Sequence, residues 1–437
     1  MLLRLTLLVR VFGVMASCIP LGLGGVVQAE QPYQIEWTRV FGADRGDSGS
    51  GVAVDNNGLI YISGVTGFRD DAFLAQYDAG GNQQWLSTLG SGQDDGSLGL
   101  TIDSSGKPII SGYTFGDLAA PNAGFSDTII AKYDSLGAVQ WVRQTGNSYY
   151  DPSHALVADT QDNIYVTRTG NTIPGYGLDG IVDKYNADGE ILWSRSFATP
   201  ADDRLYATDL DSQGNLLLAG YTRGVIGEQS IGGADAYVVT FTENGDKGLS
   251  LQFGSSTHDW AEGIAADDGG NFYVTGKTQG QLADVSYGGE DAFLVKFNSA
   301  GEMVWSRQLG TSAHDGANAI TLDKWGNIFI TGYTLGTFPG ETQTSNGDMF
   351  LAKFDESGTL LWVDQYSAGN GTDQGMSVAS DSTGNIYVSG QADWSGSTAN
   401  ILLMKYSVPE PTSITLFMLS GLMLLRRIGD RPPNPIL

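Results

Sequence analysis

The sequence predicts an all-β fold: a seven-bladed β-propeller of four-stranded antiparallel blades, its ring closed by the N-terminal outer strand. Three observations predict it. An Asp recurs at 47, 95, 151, 203, 259, 315 and 373, and each is followed eight residues later by another, at 55, 103, 159, 211, 267, 323 and 381. The spacing inside the unit is fixed while the interval between units varies, as expected of strands and tight turns joined by loops of different length. Finally, the array starts and ends out of phase. It opens on a fourth strand around Trp37 and ends on a third strand at 401–407, so the first segment should complete the last blade and leave no exposed edge.

Each element follows from short runs rich in β-branched and aromatic residues, bounded by Gly, Asn and Asp. In one copy, 262–267 (EGIAAD) reads as the first strand, DDGGN as a turn and 272–276 (FYVTG) as the second strand. After a long loop, 292–298 (AFLVKFN) is the third strand and 303–310 (MVWSRQLG) the fourth. The first strand alternates small residues (Gly51, Gly99, Ala155, Ala207, Gly263, Ala319, Ser377) with residues that are apolar in all copies but one (Val52, Leu100, Leu156, Thr208, Ile264, Ile320, Val378). Successive side chains face opposite ways along a strand, so one blade face is thin and suits close stacking near the axis. The third strand closes on an aromatic in every copy. The fourth carries Trp37, Trp85, Trp141, Trp193, Trp305 and Trp362, with Leu249 in the remaining copy; this stripe reads as packing between blades.

Composition limits the function classes. The chain has 437 residues, 23 Lys plus Arg against 49 Asp plus Glu, and a net charge of −26, which disfavours nucleic acid and other anionic partners in bulk. One Cys excludes a disulfide framework and Cys-based zinc. No G-x-S-x-G elbow, phosphate loop or H-E-x-x-H helix appears.

The ends read as addresses. Residues 1–29 have Arg4 and Arg10, an apolar stretch, and Val27-Gln28-Ala29 before a cleavage point after Ala29, the grammar of a signal peptide for signal peptidase. Residues 408–437 hold Val408-Pro409-Glu410-Pro411, an apolar run too short for a full span of about 20 residues, and Arg426-Arg427. This order resembles the PEP-CTERM sorting signal of Gram-negative bacteria. The resemblance implies transient membrane insertion of the tail, recognition of the Pro-Glu-Pro segment by an exosortase-type enzyme, and removal of the tail. The extra GDRPPNPIL after the arginines departs from the family pattern. The expected address is therefore periplasm to outer surface or extracellular matrix, with the protein membrane-held before processing.

The repeat over 34–406 resembles the SBBP seven-bladed propeller repeat family, and more loosely NHL and YVTN propellers. It does so through the D-x-x-G-N turn (Asp211 to Asn215, Asp323 to Asn327, Asp381 to Asn385), the YVTG-like strand and the D-x-F-x-x-K-[FY] strand (Asp291 to Phe297, Asp348 to Phe354). The resemblance implies the propeller over 30–407 and an extracytoplasmic setting, and it implies no reaction.

Among residues that carry chemistry, the Asp55 series opens a turn and reads as a backbone cap. The Asp71 series (Asp71, Asp127, Asp179, Asp235, Asp291, Asp348, with Asn400 last) opens the third strand and reads as structural. The Asp47 series (Asp47, Asp95, Asp151, Asp203, Asp259, Asp315, Asp373) lies between outer and inner strands, near the channel mouth. Carboxylates ~10 Å apart would repel by about 0.4 kcal/mol per pair in water and about 1.7 at an effective dielectric of 20. A hard cation such as Ca²⁺ would relieve this, which makes the ring a candidate metal site; otherwise each Asp folds back onto its own loop. No other cofactor is expected. His154, His258 and His314 also fall on this rim.

The expected function is that of an exported, non-catalytic surface or matrix protein. Variable loops on one face would bind a glycan or a protein. The alternative is a propeller lyase or hydrolase acting on exported polysaccharide. Basic side chains clustered near an acid would favour the enzyme. The third-strand lysines (Lys132, Lys184, Lys296, Lys353, Lys405) are spread one per blade, which favours binding without catalysis.

Overall fold

The computed structural model describes residues 33–407 apart from 43–45, 68–70, 172–176, 228, 284, 343–345 and 395–398. The sequence-predicted signals at Ala29, Val408, Pro409, Glu410, Pro411, Arg426 and Arg427 lie outside the described residues.

Within them, strands pair into seven four-stranded antiparallel sheets. Blades 1 to 6 comprise residues 48–89, 95–145, 153–197, 203–253, 259–309 and 315–366, and blade 7 joins 372–407 to Gln34–Phe41. The closure predicted from the phase mismatch is present. Gln34–Phe41 pairs antiparallel with Asn400–Ser407, in register from Gln34 with Ser407 to Phe41 with Ile401.

Burial follows position in the blade. Second and third strands are buried along most of their length, and Leu216–Thr222 and Asp235–Phe241 at every residue, because neighbouring blades cover both faces. They accordingly read as near-continuous apolar runs. Outer strands such as Gln83–Leu89 alternate exposed and half-buried residues. The aromatics that end the third strands, including Tyr133, Phe241 and Phe354, fill the seams between blades.

The Trp stripe packs between blades and also latches them. Trp37 Nε1 donates to Ala79 O of blade 1 at 3.2 Å, and Arg39 stacks 5.1 Å over Trp37 while its Nε donates to Gly81 O at 2.8 Å. Trp141 with Arg143 and Trp193 with Arg195 repeat this grip on the third-to-fourth turn of the next blade, and Arg307, stacked on Trp305, repeats its arginine half. The N-terminal strand therefore completes blade 7 and also clasps blade 1.

The first strand differs from its sequence reading. It begins at Asp259 in blade 5, three residues before the expected start at 262. Asp95, Asp203, Asp259, Asp315 and Asp373 are thus strand residues, although Asp and Gly next to a turn read as loop. Each first strand also carries a bulge, for example between Leu205 and Ala207 and between Ala261 and Gly263. The extra residue is Ser50, Leu98, His154, Tyr206, Glu262, Asn318 or Met376.

Candidate binding site at the channel mouth

A bulge frees one side chain from the alternation of its strand and re-aims it. Here all seven bulged residues line a central cavity of about 290 Å³ on the propeller axis. The small residue after each bulge keeps the blades close. A Cβ added at Gly51 would stand 2.7 Å from Leu100 Cβ of the next blade. The seven lumen residues differ in every blade, so a uniform scaffold presents an asymmetric interior. Sequence reasoning singled out the small residues and passed over their neighbours. The signal was there: the third position after the Asp47-type residue never repeats, inside an otherwise repetitive strand.

Chemistry concentrates in blades 3 to 5. His154 meets Tyr206 edge-on at 5.1 Å, Tyr206 lies 5.9 Å from Tyr221, and Tyr221 lies 6.3 Å from Trp260. His258 stacks on Trp260 at 5.6 Å, and Lys277 sits 5.4 Å from the same ring. The pairing puts Arg204 opposite Tyr221 and Trp260 opposite Lys277, at the Asp end of the inner strands.

The charges in this sector are unusual. Lys277 Nζ lies 3.8 Å from Glu262 Oε1. Burial pushes the Glu262 carboxyl up to about 7, with Lys277 opposing and Glu290 adding to the rise. Glu262 is 21% exposed, yet the little water in a narrow protein-walled lumen screens it poorly. Burial, aided by Arg204, holds His154 down at about 4, so its imidazole is neutral near pH 7. Arg204 neighbours the Tyr206 phenol, and its Nε is buried without a hydrogen-bond partner among the described residues.

The Asp47-type residues are all present, and each carboxylate is tied to a neighbouring backbone N–H. Each is 0–1% exposed. Asp95 accepts from Ser91 N at 2.6 Å, Asp151 from Asn147 N at 2.8 Å, Asp259 from Ser255 N at 2.7 Å and Asp315 from Thr311 N at 2.6 Å. Asp203 accepts from Thr199 N and Asp373 from Ala368 N, while Asp47 accepts from Gly67 N at 3.1 Å. Burial raises the carboxyls of Asp203, Asp259 and Asp315, and these hydrogen bonds pull them back. Among the described residues no group of three or more His, Cys, Asp or Glu is placed to hold a metal ion. His258 and His314 do not converge either: the first stacks on Trp260, and the second is 3.9 Å from Glu290.

The Asp71-type residues reveal a clamp that sequence reasoning missed. Gln144, Gln252, Gln308 and Gln365 each donate to the third-strand Asp of their own blade, at 2.7–2.8 Å, and to a carbonyl of the second-to-third loop. Their Oε1 atoms accept backbone N–H groups of the same loop, such as Leu118 N and Leu282 N. These are the four blades whose loops run 12 or 13 residues: 115–126, 223–234, 279–290 and 335–347. Blades 1 and 3, with shorter loops, have Thr88 and Ser196 at the same spacing from Asp71 and Asp179. The spread lysines serve the far end of the blades. Lys132 pairs with Asp103 at 2.8 Å and Lys405 with Glu36 at 2.8 Å.

Known proteins fit this architecture. The SBBP family, described as a Beta-propeller repeat, matches residues 250–282 and 304–339, within blades 4 to 6. The regulatory protein FlaEY of Caulobacter vibrioides is 24% identical over 300 residues, covering 58% of this chain. The match takes in 31% of FlaEY, so the chain spans about a third of that relative's length. Among solved structures, polysaccharide lyase Uly1 matches this propeller with a TM-score of 0.52 at 10% identity, covering 84% of this chain and 92% of the lyase. The Neurospora crassa Pan2 WD40 domain gives 0.50 at 10% identity, over 83% and 90%. At this identity both likenesses show a shared fold alone.

Proposed function

We propose that this propeller is an exported surface or matrix protein that binds a glycan at the channel mouth without transforming it. One observation carries the reading: the aromatic run His154–Tyr206–Tyr221–Trp260–His258, flanked by Arg204 and Lys277, at the open end of the lumen. Aromatic faces stack on sugar rings, and phenols and guanidinium groups hydrogen-bond hydroxyls. Export through the leader ending at Ala29, and sorting through Val408–Pro411 and Arg426-Arg427 by an exosortase-type enzyme, belong to the same proposal. The binding requires no cation.

A second reading, a lyase or hydrolase acting on exported polysaccharide, is favoured by Glu262. A carboxyl raised to about 7, near the Tyr206 phenol and 3.8 Å from Lys277, has the makings of acid–base chemistry. A glycan array followed by a reducing-end release assay separates the two. Binding that Trp260→Ala abolishes, without new chain ends, supports the first reading. New chain ends lost in Glu262→Gln support the second.

A further inference from the structure

We infer that the glycan bound at this mouth is a carboxylated one, a uronate, with Arg204 as its anion anchor; this rests on the glycan-binding reading and narrows it.

Positive charge is scarce in this protein. A chain with 49 acids and 23 bases has few cations to place, and those near the mouth are mostly spent. Arg168 is held by Asp183 at 2.7 Å, with Asp151 at 3.8 Å. Lys277 is matched by Glu262 at 3.8 Å. Arg223 is matched by Asp202, also at 3.8 Å.

Arg204 differs from all of these. It stands between two phenols, Tyr206 and Tyr221, and its Nε is buried without a partner among the described residues. Neutral phenols near pH 7 give it no counter-charge, and Asp202, the anion that acts on it, is 3.8 Å from Arg223. A guanidinium nitrogen buried short of an acceptor is costly. A planar carboxylate satisfies it with two parallel charge-assisted bonds, which a hydroxyl cannot do. Trp260 and Tyr221 offer faces for the ring that bears the carboxylate, and the Glu262–Lys277 pair offers an acceptor and a donor for its hydroxyls. The lumen of about 290 Å³ is lined by Tyr206 and Glu262 and not by Arg204, so the anchored sugar unit would sit at its mouth, with the rest of a polymer lying across it.

The test is calorimetric titration of the full chain with galacturonate, mannuronate and guluronate oligomers, each paired with its methyl ester, plus a panel of neutral oligosaccharides. The ester keeps the sugar and removes the charge. We expect at least one acid form to bind about tenfold tighter than its ester, the scale of one charge-assisted contact. Arg204→Met should erase that difference and leave ester binding in place, Arg204→Lys should restore part of it, and Trp260→Ala should weaken both forms. Melting curves matching the parent keep the variants interpretable. Equal binding of acid and ester, or a preference that survives Arg204→Met, overturns the uronate inference while glycan binding stands. Failure of every acid, ester and neutral oligomer to bind overturns both.

Discussion

Blades 3 and 5 both supply the candidate site, and they meet the same packing demand by different means. In blade 5 the second strand passes so close to the first that a Cβ on Gly276 would stand 1.8 Å from Trp260 O; only glycine fits. In blade 3 the corresponding residue is Arg168, set opposite Ser153 after Pro152. Its Nε is 2.7 Å from Asp183, and their side chains are 15% and 2% exposed. Asp183 in turn occupies a position filled by Ala, Val or Met in the other blades. Blade 5 also carries a 12-residue loop, 279–290, pinned by Gln308, where blade 3 has a shorter loop and an exposed Ser196. The repeat consensus thus encodes backbone complementarity, and the departures from it come in compensating pairs.

The two blades should diverge most at Arg168. Arg168→Met leaves Asp183 buried without its cation, and removing one partner of a buried pair typically costs about 3–5 kcal/mol. Urea and thermal unfolding should show that loss. Arg168→Gly with Asp183→Ala, which gives blade 3 the pairing used elsewhere, should recover most of it. A double variant no better than the single one would show that blade 3 needs its arginine for another reason.

At Gln308 a smaller effect is expected. Gln308→Ala removes bonds to Gly280 O at 2.9 Å and Asp291 at 2.7 Å, together with the acceptor for Leu282 N and Ala283 N. With polar groups left unpaired, a loss of about 2–3 kcal/mol is expected, with faster hydrogen exchange confined to 279–290. Ser196→Ala in blade 3 should stay within about 0.5 kcal/mol. Equal effects in the two blades would refute the clamp.

Blade count, strand order and closure were legible in the sequence because they rest on periodic features: the eight-residue Asp spacing, the buried second and third strands, and the phase mismatch at Trp37. The candidate site was less legible because it is built from departures. Tyr206 and Glu262 reach the lumen through bulges, which show in the sequence only as one position that never repeats from blade to blade. YVTR in place of YVTG was visible at Arg168, but its meaning depends on Asp183, which is 15 residues away and adjacent only in the folded sheet. The seven Asp47-type residues were found correctly as a series. Their orientation was not readable, because whether a carboxylate faces the axis or its own loop depends on backbone geometry.

Since those carboxylates face their own loops, their replacement should cost less again. Asp259 and Asp315 are tied to Ser255 N and Thr311 N, so Asn, which keeps an acceptor oxygen, should cost only about 1 kcal/mol at either position. Melting temperature should be the same in EGTA and in millimolar Ca²⁺ for parent and variants. A calcium-dependent rise that disappears in the Asp259→Asn, Asp315→Asn double variant would instead make the ring a cation site. Asp151→Asn should cost more than Asp259→Asn, since in blade 3 that carboxylate also faces Arg168 at 3.8 Å.

The smallest expected effect is a pH dependence that separates the lumen residues of the two blades, below about 1 kcal/mol between pH 8 and 6.5. Glu262 of blade 5 has a folded pKa raised to about 7 from 4.5, first by burial. A raised carboxyl means that the folded state holds its proton more tightly than the unfolded state. Its destabilising contribution is therefore fully present above about pH 7 and gone below about 4.5. Asp209, raised to about 6 chiefly by burial, has the same sign. His154 of blade 3 runs the other way: lowered to about 4, it resists protonation in the fold, so stability is lost as pH falls from 6.5 toward 4. Melting temperature should therefore rise as pH falls from 8 toward 6.5, with His154 opposing any further gain below that. Glu262→Gln should melt higher than the parent at pH 8 and converge with it near pH 5. His154→Gln should match the parent at pH 8 more closely than at pH 5, where it should be the more stable of the two. A Glu262→Gln difference that is constant across this range would mean that the carboxyl is ionised throughout and that Lys277 outweighs its burial.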